Sequence, residues 1–315
     1  MHLWYNKCEK KGKNKHMETA ITQFGIIGAG QLGGAIGGAL TKAREQVIFY
    51  DKQADRSTTA SIVDVVHACP VILLCIPSWE VKNALKPIAK AVKPGEERLV
   101  ITLAKGVDKG FVTMDKLLAQ ILPDYIDRGV LYGPMIAEEI MRGRHGAGVL
   151  AVTNTKWFSP LRETFAEAGI TLQASGDMHG ITLCAVLKNI YAIAFGLSEG
   201  MHLGLNSKGT LAVMVLAETK QFLTDAKTDP RTAEGIAGLG DMLATGFSED
   251  SFNYRVGKSL AEGIADEHIR SEGLVALDEL SRAVDLKKYP VAHTVQQIVF
   301  NYGAPALLGE LIHKT

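Results

Sequence analysis

The rhythm of apolar positions changes near residue 176. Before it, short apolar runs at 23–27, 47–51, 71–76, 99–103 and 130–132 alternate with segments of helical period. Each run is short, β-branched and bounded by turn residues, which predicts buried strands. Two more strand-like segments, 149–152 and 170–173, flank a helical segment at 161–168. Strands alternating with helices predict a mostly parallel, doubly wound sheet with helices on both faces. Helices are expected near 31–42, 61–68 and 113–121, and from Trp79 towards Val92 with Ser78 as its cap and a disturbance at Pro87. After His179 the pattern is helical throughout, about 179–197, 208–225, 255–264, 274–286 and 291–313 with breaks. The expected fold is therefore α/β, with an N-terminal Rossmann domain at 21–176 and an all-α domain at 177–315. The turn Ser175-Gly176-Asp177 marks the boundary.

The run 183–197 is almost wholly apolar, yet Lys188 and Asn189 sit in its middle. On a helix, Lys188 shares its face with Ile181, Cys184, Ala185, Ala192 and Phe195. Burial disfavours the ammonium and lowers the pKa, which suits a lysine that transfers protons. A snorkelling lysine, with its stem on apolar surface and its head in water, fits the same pattern.

The 315 residues are enough for two domains, and Lys+Arg and Asp+Glu balance at 34 each. That balance gives no sign of a nucleic-acid or membrane partner. The apolar run is shorter than a bilayer span and is broken by a charge, so no membrane span is expected. Cys8, Cys69, Cys75 and Cys184 show no metal-ligand spacing. Free thiols and the lack of an apolar leader predict a cytoplasmic protein without a metal. Residues 1–20 carry Lys7, Lys10, Lys11, Lys13 and Lys15 and are expected to form a disordered basic tail. His67, His145, His179 and His202 are expected at surface or capping positions.

Gly28-Ala-Gly30-Gln31-Leu32-Gly33 lies directly between the first strand and the first helix. The first glycine permits the tight turn, the second admits a pyrophosphate and the third lets helix and strand pack closely. Asp51 ends the second strand, where an acid hydrogen-bonds a ribose 2′-hydroxyl. Dinucleotide binding follows, with NAD(H) favoured and NADP(H) admissible because Lys52 and Arg56 come next. NADH is expected to bind more tightly than NADPH.

Beyond residue 22 the chain resembles the soluble NAD(P)-dependent glycerol-3-phosphate dehydrogenases. Ala104-Lys-Gly-Val107 is similar to the family's (S/T)KG(I/V), and Tyr132-Gly-Pro-Met-Ile-Ala-Glu-Glu139 to its SGPSFAEE. Leu187-Lys-Asn-Ile190 is similar to its GALKN helix, and Leu203-Gly-Leu-Asn-Ser-Lys208 to LGDN(S/T)(R/K). Gly235-Ile-Ala-Gly-Leu-Gly-Asp241 is similar to GLAGLGD, with Thr245 after it. Ser251-Phe-Asn-Tyr-Arg-Val-Gly257 is similar to SRNRRVG, and Glu272-Gly273 to the end of VEG.

The resemblance implies reversible hydride transfer between nicotinamide and C2 of dihydroxyacetone phosphate or sn-glycerol 3-phosphate. It implies that Lys188 is the general acid/base, that Lys105 adds positive charge and that Asp241 holds lysine and substrate. It places Gly133, Asn189, Thr245, Ser251 and Asn253 with Lys105 at the substrate, and Lys105, Ala137 and Glu272 at the cofactor. It also implies a common dimeric state, so a homodimer is open.

Two departures from the pattern matter most, and a third accompanies them. Phe252 stands where the family has a phosphate-gripping arginine, and Met135 where it has a serine near the substrate; Tyr254 replaces a further arginine. A charge-assisted contact of that type contributes about 1.5–3 kcal/mol. Asn206, Lys208 or Arg255 are candidate replacements at the phosphate. Three readings stay open: a working glycerol-3-phosphate dehydrogenase with a shifted phosphate site, a related oxidoreductase whose pocket Phe252 and Met135 line, and a non-catalytic dinucleotide-binding paralogue.

Overall fold

The computed structural model describes residues 23–264 and 269–314. The expected basic tail, and Cys8 with it, lies outside the described residues. The N-terminal part runs β1 (Gln23–Ile27), α1 (Gln31–Lys42), β2 (Gln46–Tyr50), α2 (Ile62–Ala68), β3 (Val71–Leu74), α3 (Ser78–Ala91) and β4 (Leu99–Thr102). A small hairpin of β5 (Val107–Asp108) and β6 (Val112–Thr113) leads into α4 (Met114–Ile121), β7 (Asp127–Tyr132) and α5 (Ala137–Met141). Then come β8 (Gly146–Val152), α6 (Phe158–Glu167) and β9 (Ile170–Ala174).

The sheet order is β2-β1-β3-β4-β7-β8-β9, with only the β7–β8 pair antiparallel. The chain therefore reverses its winding direction between β1 and β3. In open α/β sheets the crevice outside the strand ends at such a switch is where ligands bind. Here those ends are Ile27-Gly28 and Leu74-Cys75-Ile76.

The helical part comprises α7 (Met178–Gly200), α8 (Gly204–Asp225), α9 (Asp241–Gly246), α10 (Phe252–Ala261), α11 (Glu272–Ala283), α12 (Pro290–Phe300) and α13 (Ala306–His313). The fold is a Rossmann-like, mostly parallel sheet followed by a helical C-terminal domain. Helix α7 is the axle of that domain, and its residues 180–198 are buried. It is long and apolar enough to cross a membrane, but it lies wholly inside the protein core.

Where α7 crosses α10 the two backbones touch. A Cβ on Gly196 would stand 1.9 Å from the Tyr254 carbonyl, and one on Gly257 2.0 Å from that of Ile193. This contact fixes the first half of α10 against the C-terminal half of α7.

Several expected boundaries move. Ser78 is not the cap of α3 but lies in its first turn. The free amide and hydroxyl of Ser78 both donate to the Glu272 carboxylate, 194 residues away, at 2.8 and 2.6 Å. A carboxylate suits a helix N-terminus whose amides lack internal partners. Helix α3 also continues through Pro87. Helices α8 and α10 begin earlier than their apolar period suggests, because the residues that open them, Leu205 and Asn206 in one and Phe252 in the other, are exposed.

Candidate active site

Two cavities flank the switch point. One, of about 490 Å³, is lined by Gly28, Tyr50, Asp51, Lys52, Ile76, Trp79 and Glu80, among others. The other, of about 400 Å³, lies between the sheet and the helical domain. Its walls bring together Gln31, Leu32, Lys105, Ala137, Lys188, Asn189, Thr245, Ser251, Phe252, Asn253 and Glu272. Ile76 borders both, so the two cavities are neighbours along one crevice.

The residues at the join fit a dinucleotide. Gly28 has φ of +98°, a left-handed conformation that favours glycine. A Cβ on Gly33 would lie 1.9 Å from the Gly28 carbonyl, whereas one on Gly30 would meet nothing within 4 Å. The turn is closed beneath and open above, next to the first amides of α1. Asp51 accepts hydrogen bonds from the amides of Ala29 and Gln53 at 2.8 and 2.9 Å. These contacts hold its carboxylate at the cavity wall.

Two ammonium groups on the wall of the second cavity meet one carboxylate, Asp241, which lies behind that wall. Asp241 is 2% exposed and receives Lys105 Nζ at 2.7 Å on one oxygen. Lys188 Nζ lies 3.4 Å from its other oxygen and donates to Thr245 Oγ1 at 2.7 Å. Lys105 comes from the loop after β4, and Lys188 and Asp241 come from the helical domain. A wide turn at Ile236–Gly240 delivers Asp241: its Gly240 amide bonds to the Gly235 carbonyl five residues back. Such wide turns recur at functional sites.

Lys105 also donates to the Gly133 carbonyl at 3.0 Å, and Asn189 Nδ2 donates to the Lys105 carbonyl at 2.6 Å. Lys105 and Asn189 are thus held from both domains. Gly133 acts here through its carbonyl and is not on the cavity wall.

Burial pulls the Lys188 ammonium down from the ordinary 10.5 to about 8. Asp241 opposes that fall and Lys105 adds to it. The side chain is 7% exposed, so it does not snorkel. Glu272 is moved the other way: burial raises its pKa, and the hydrogen bonds from Ser78 counter this.

Other expectations change. Met135 is 6% exposed and packs in the sheet core with Leu131 and Ile140, not on the cavity wall. It lies in the loop between β7 and α5, with its side chain in the core layer. Lys208 is also unavailable to the cavity, since it is buried, paired with Glu199 and within 3.4 Å of the Tyr254 hydroxyl. Arg255 donates to the Glu249 carbonyl at 2.8 Å and stacks on Phe252, and Asn206 is exposed on α8 away from the cavity. Phe252 itself does line the cavity and is 46% exposed. Lys105 and Lys188 are the cations on that wall, where Glu138 and Asp250 also sit.

His179 Nδ1 lies 2.9 Å from Asp115 Oδ2 and joins α7 to α4, outside the cavity. The sequence reading missed Ser78 and the loop residues Ser248 and Asp250. Ser78 carries no motif signal without Glu272, its distant partner. Among the described residues no cluster of three or more metal-ligating side chains occurs, and Cys69, Cys75 and Cys184 are free thiols.

Two family models cover most of the chain. Residues 55–158 match the N-terminal part, and residues 177–308 the C-terminal part, of NAD-dependent glycerol-3-phosphate dehydrogenase. This chain belongs to that family. It is accordingly an NAD(P)-dependent oxidoreductase acting on a CH–OH group. A glycerol-3-phosphate dehydrogenase [NAD(P)+] of Acinetobacter baumannii is 32% identical over 246 residues, covering 75% of this chain and 68% of the relative. One from Ectopseudomonas mendocina is 26% identical over 328 residues, covering 94% and 95%. The crystal structure of glycerol-3-phosphate dehydrogenase from Coxiella burnetii superposes with a TM-score of 0.84 at 24% identity, covering 93% of this chain and 99% of that one. A ketopantoate reductase from Ralstonia eutropha shares the fold more loosely, at a TM-score of 0.58 and 18% identity over 93% of this chain and 99% of that one.

Proposed function

We propose that this protein reduces dihydroxyacetone phosphate to sn-glycerol 3-phosphate reversibly, with NADH favoured over NADPH. The supporting observation is the buried Lys188–Asp241–Lys105 cluster on a cavity contiguous with the dinucleotide crevice. Gly28, Gly30, Gln31, Leu32, Gly33 and Asp51 would hold the cofactor, with Ala137 and Glu272 beside the nicotinamide end. When bound, the cofactor supplies or accepts the hydride.

Lys188 in its ammonium form would donate a proton to the C2 oxygen of the ketone; in its amine form it would take that proton back from the alcohol. Negative charge grows on that oxygen during reduction, and preorganised cations in a site closed to water stabilise such charge strongly. Lys105 would add to that field. Asp241 keeps two ammonium groups together and orients both. Asn189, Asn253, Thr245 and Ser251 would fix the substrate hydroxyls and phosphate. The unit boundary near residue 176 and a cytoplasmic location belong to the same proposal.

Phe252 supports a second reading. With a ring in place of a guanidinium, and Glu138 and Asp250 on the wall, the cavity also suits a ketone without a phosphate. Oxidation of NADH followed by absorbance, with dihydroxyacetone phosphate and with unphosphorylated dihydroxyacetone, separates the two. Turnover that prefers the phosphate ester is expected. No turnover of it at millimolar concentration, with NADH binding intact, overturns the first reading.

A further inference from the structure

The start of α11 and the residues just before it grip the first turn of α3 at two neighbouring points. Glu272 accepts from the amide and hydroxyl of Ser78, and the Arg270 guanidinium lies 4.2 Å from the centre of the Trp79 ring. Trp79 is part of the wall of the cavity that contains Asp51, and Glu272 is part of the wall of the catalytic cavity. Arg270 is therefore brought from the helical domain to Trp79, at the edge of the Asp51 cavity, two residues before Glu272 on the other wall.

Its charge is felt by the Glu272 carboxylate, whose pKa it lowers, but among the described residues it forms no ion pair. Lys52 and Glu80, on the wall of the Asp51 cavity, neutralise each other at 2.7 Å, and the Glu272 oxygens are taken by Ser78. No carboxylate lies within salt-bridge distance of Arg270 among the described residues. A guanidinium stacked on an aromatic face keeps its edge N–H groups free in the ring plane. That edge is suited to phosphate oxygens, which guanidinium groups bind in a two-pronged fashion.

We propose that Arg270 is a cofactor-positioning residue: seated on Trp79, it supplies the helical domain's cation to the phosphates of the bound dinucleotide. The stack on Trp79 orients the fork in advance, so little side-chain freedom remains to be lost on binding. The role explains why the neighbouring Glu272 is fastened to Ser78. That clasp holds the Arg270 segment at the crevice before any ligand arrives.

The test compares ADP with adenosine by calorimetric titration of the purified protein. The two probes share the base and ribose and differ in the phosphates. Arg270→Ala is expected to weaken ADP and NADH about ten- to thirtyfold while adenosine changes less than about threefold. Arg270→Lys is expected to recover part of the ADP affinity, because charge returns without the planar fork. Raising the salt concentration should narrow the gap between wild type and Arg270→Ala for ADP. Unchanged ADP affinity in Arg270→Ala overturns the proposal. Equal loss of ADP and adenosine also overturns it, since that outcome marks a structural brace for Trp79. Neither result bears on which ketone the enzyme reduces.

Discussion

Replacing Asp241 by Asn should move the pH dependence of catalysis towards acid. Lys188 has a pKa of about 8 although it is buried beside a second cation, because Asp241 opposes the desolvation. The nearer contact is 3.4 Å. At an effective dielectric of about 20, a unit charge at that distance contributes about 5 kcal/mol, equivalent to three or four pH units. Part of this is screened, so a fall of at least about two pH units is the conservative expectation. Ketone reduction needs the ammonium, so kcat/KM in the wild type should decline as pH rises through about 8. In the Asn variant that decline should begin at about pH 6 or below. Alcohol oxidation needs the amine and should show the mirror-image limb. The assay is absorbance of NADH at saturating cofactor between pH 5 and 10, roughly the window in which these groups titrate. A limb that stays near 8 in a folded variant refutes the reasoning, because Asp241 would then not set the lysine's proton affinity.

Three further outcomes follow from the same geometry. Lys188→Met should abolish turnover, leave NADH affinity within about threefold and raise stability at pH 7 by up to about 3 kcal/mol. The sign is fixed by linkage: the pKa falls from 10.5 unfolded to about 8 folded, so stability rises with pH across that window and the cost of charging is fully present below it. Thermal melts at pH 7 check this, and a lower melting temperature for the variant would contradict it. Phe252→Arg should raise kcat/KM for dihydroxyacetone phosphate about ten- to a hundredfold, with no gain on unphosphorylated dihydroxyacetone; steady-state kinetics decide. Gly33→Ala places a Cβ 1.9 Å from the Gly28 carbonyl and should cost about 1–3 kcal/mol of stability, with NADH binding weakened tenfold or more, as melts and fluorescence titration would show.

Much of this was legible in the chain. The strands were visible as short apolar runs, and the buried lysine was visible because a charge in the run 183–197 has no polar neighbours on its face. The turn at Gly28–Gly33 was legible because Gly28 and Gly33 each answer a local steric demand, while Gly30 leaves the space above the turn open. What was hidden depends on distant pairing. Ser78 reads as a helix cap until Glu272, 194 residues on, takes both its donors. Met135 reads as a pocket residue because its motif neighbours are, but the loop between β7 and α5 carries it into the core. Lys208 reads as a free cation because Glu199 and Tyr254, which hold it, belong to other helices. Local period shows which face is apolar; it does not show what the polar groups on two separate elements will find when they meet.

The backbone contact at Gly196 and Gly257 bears on how this enzyme can change over evolutionary time. Where two helices touch without side chains between them, no residue can be traded for a larger or smaller one to reshape the space above. The seat of α10 on α7, the helix that carries Lys188 and Asn189, is therefore a poor substrate for variation. Room for novelty is concentrated at the lip, where the chain enters α10 through Ser248, Asp250, Ser251 and the half-exposed ring of Phe252. A lineage can rewrite what the lip accepts while the acid–base machinery below stays fixed, and Phe252 has the character of one such edit.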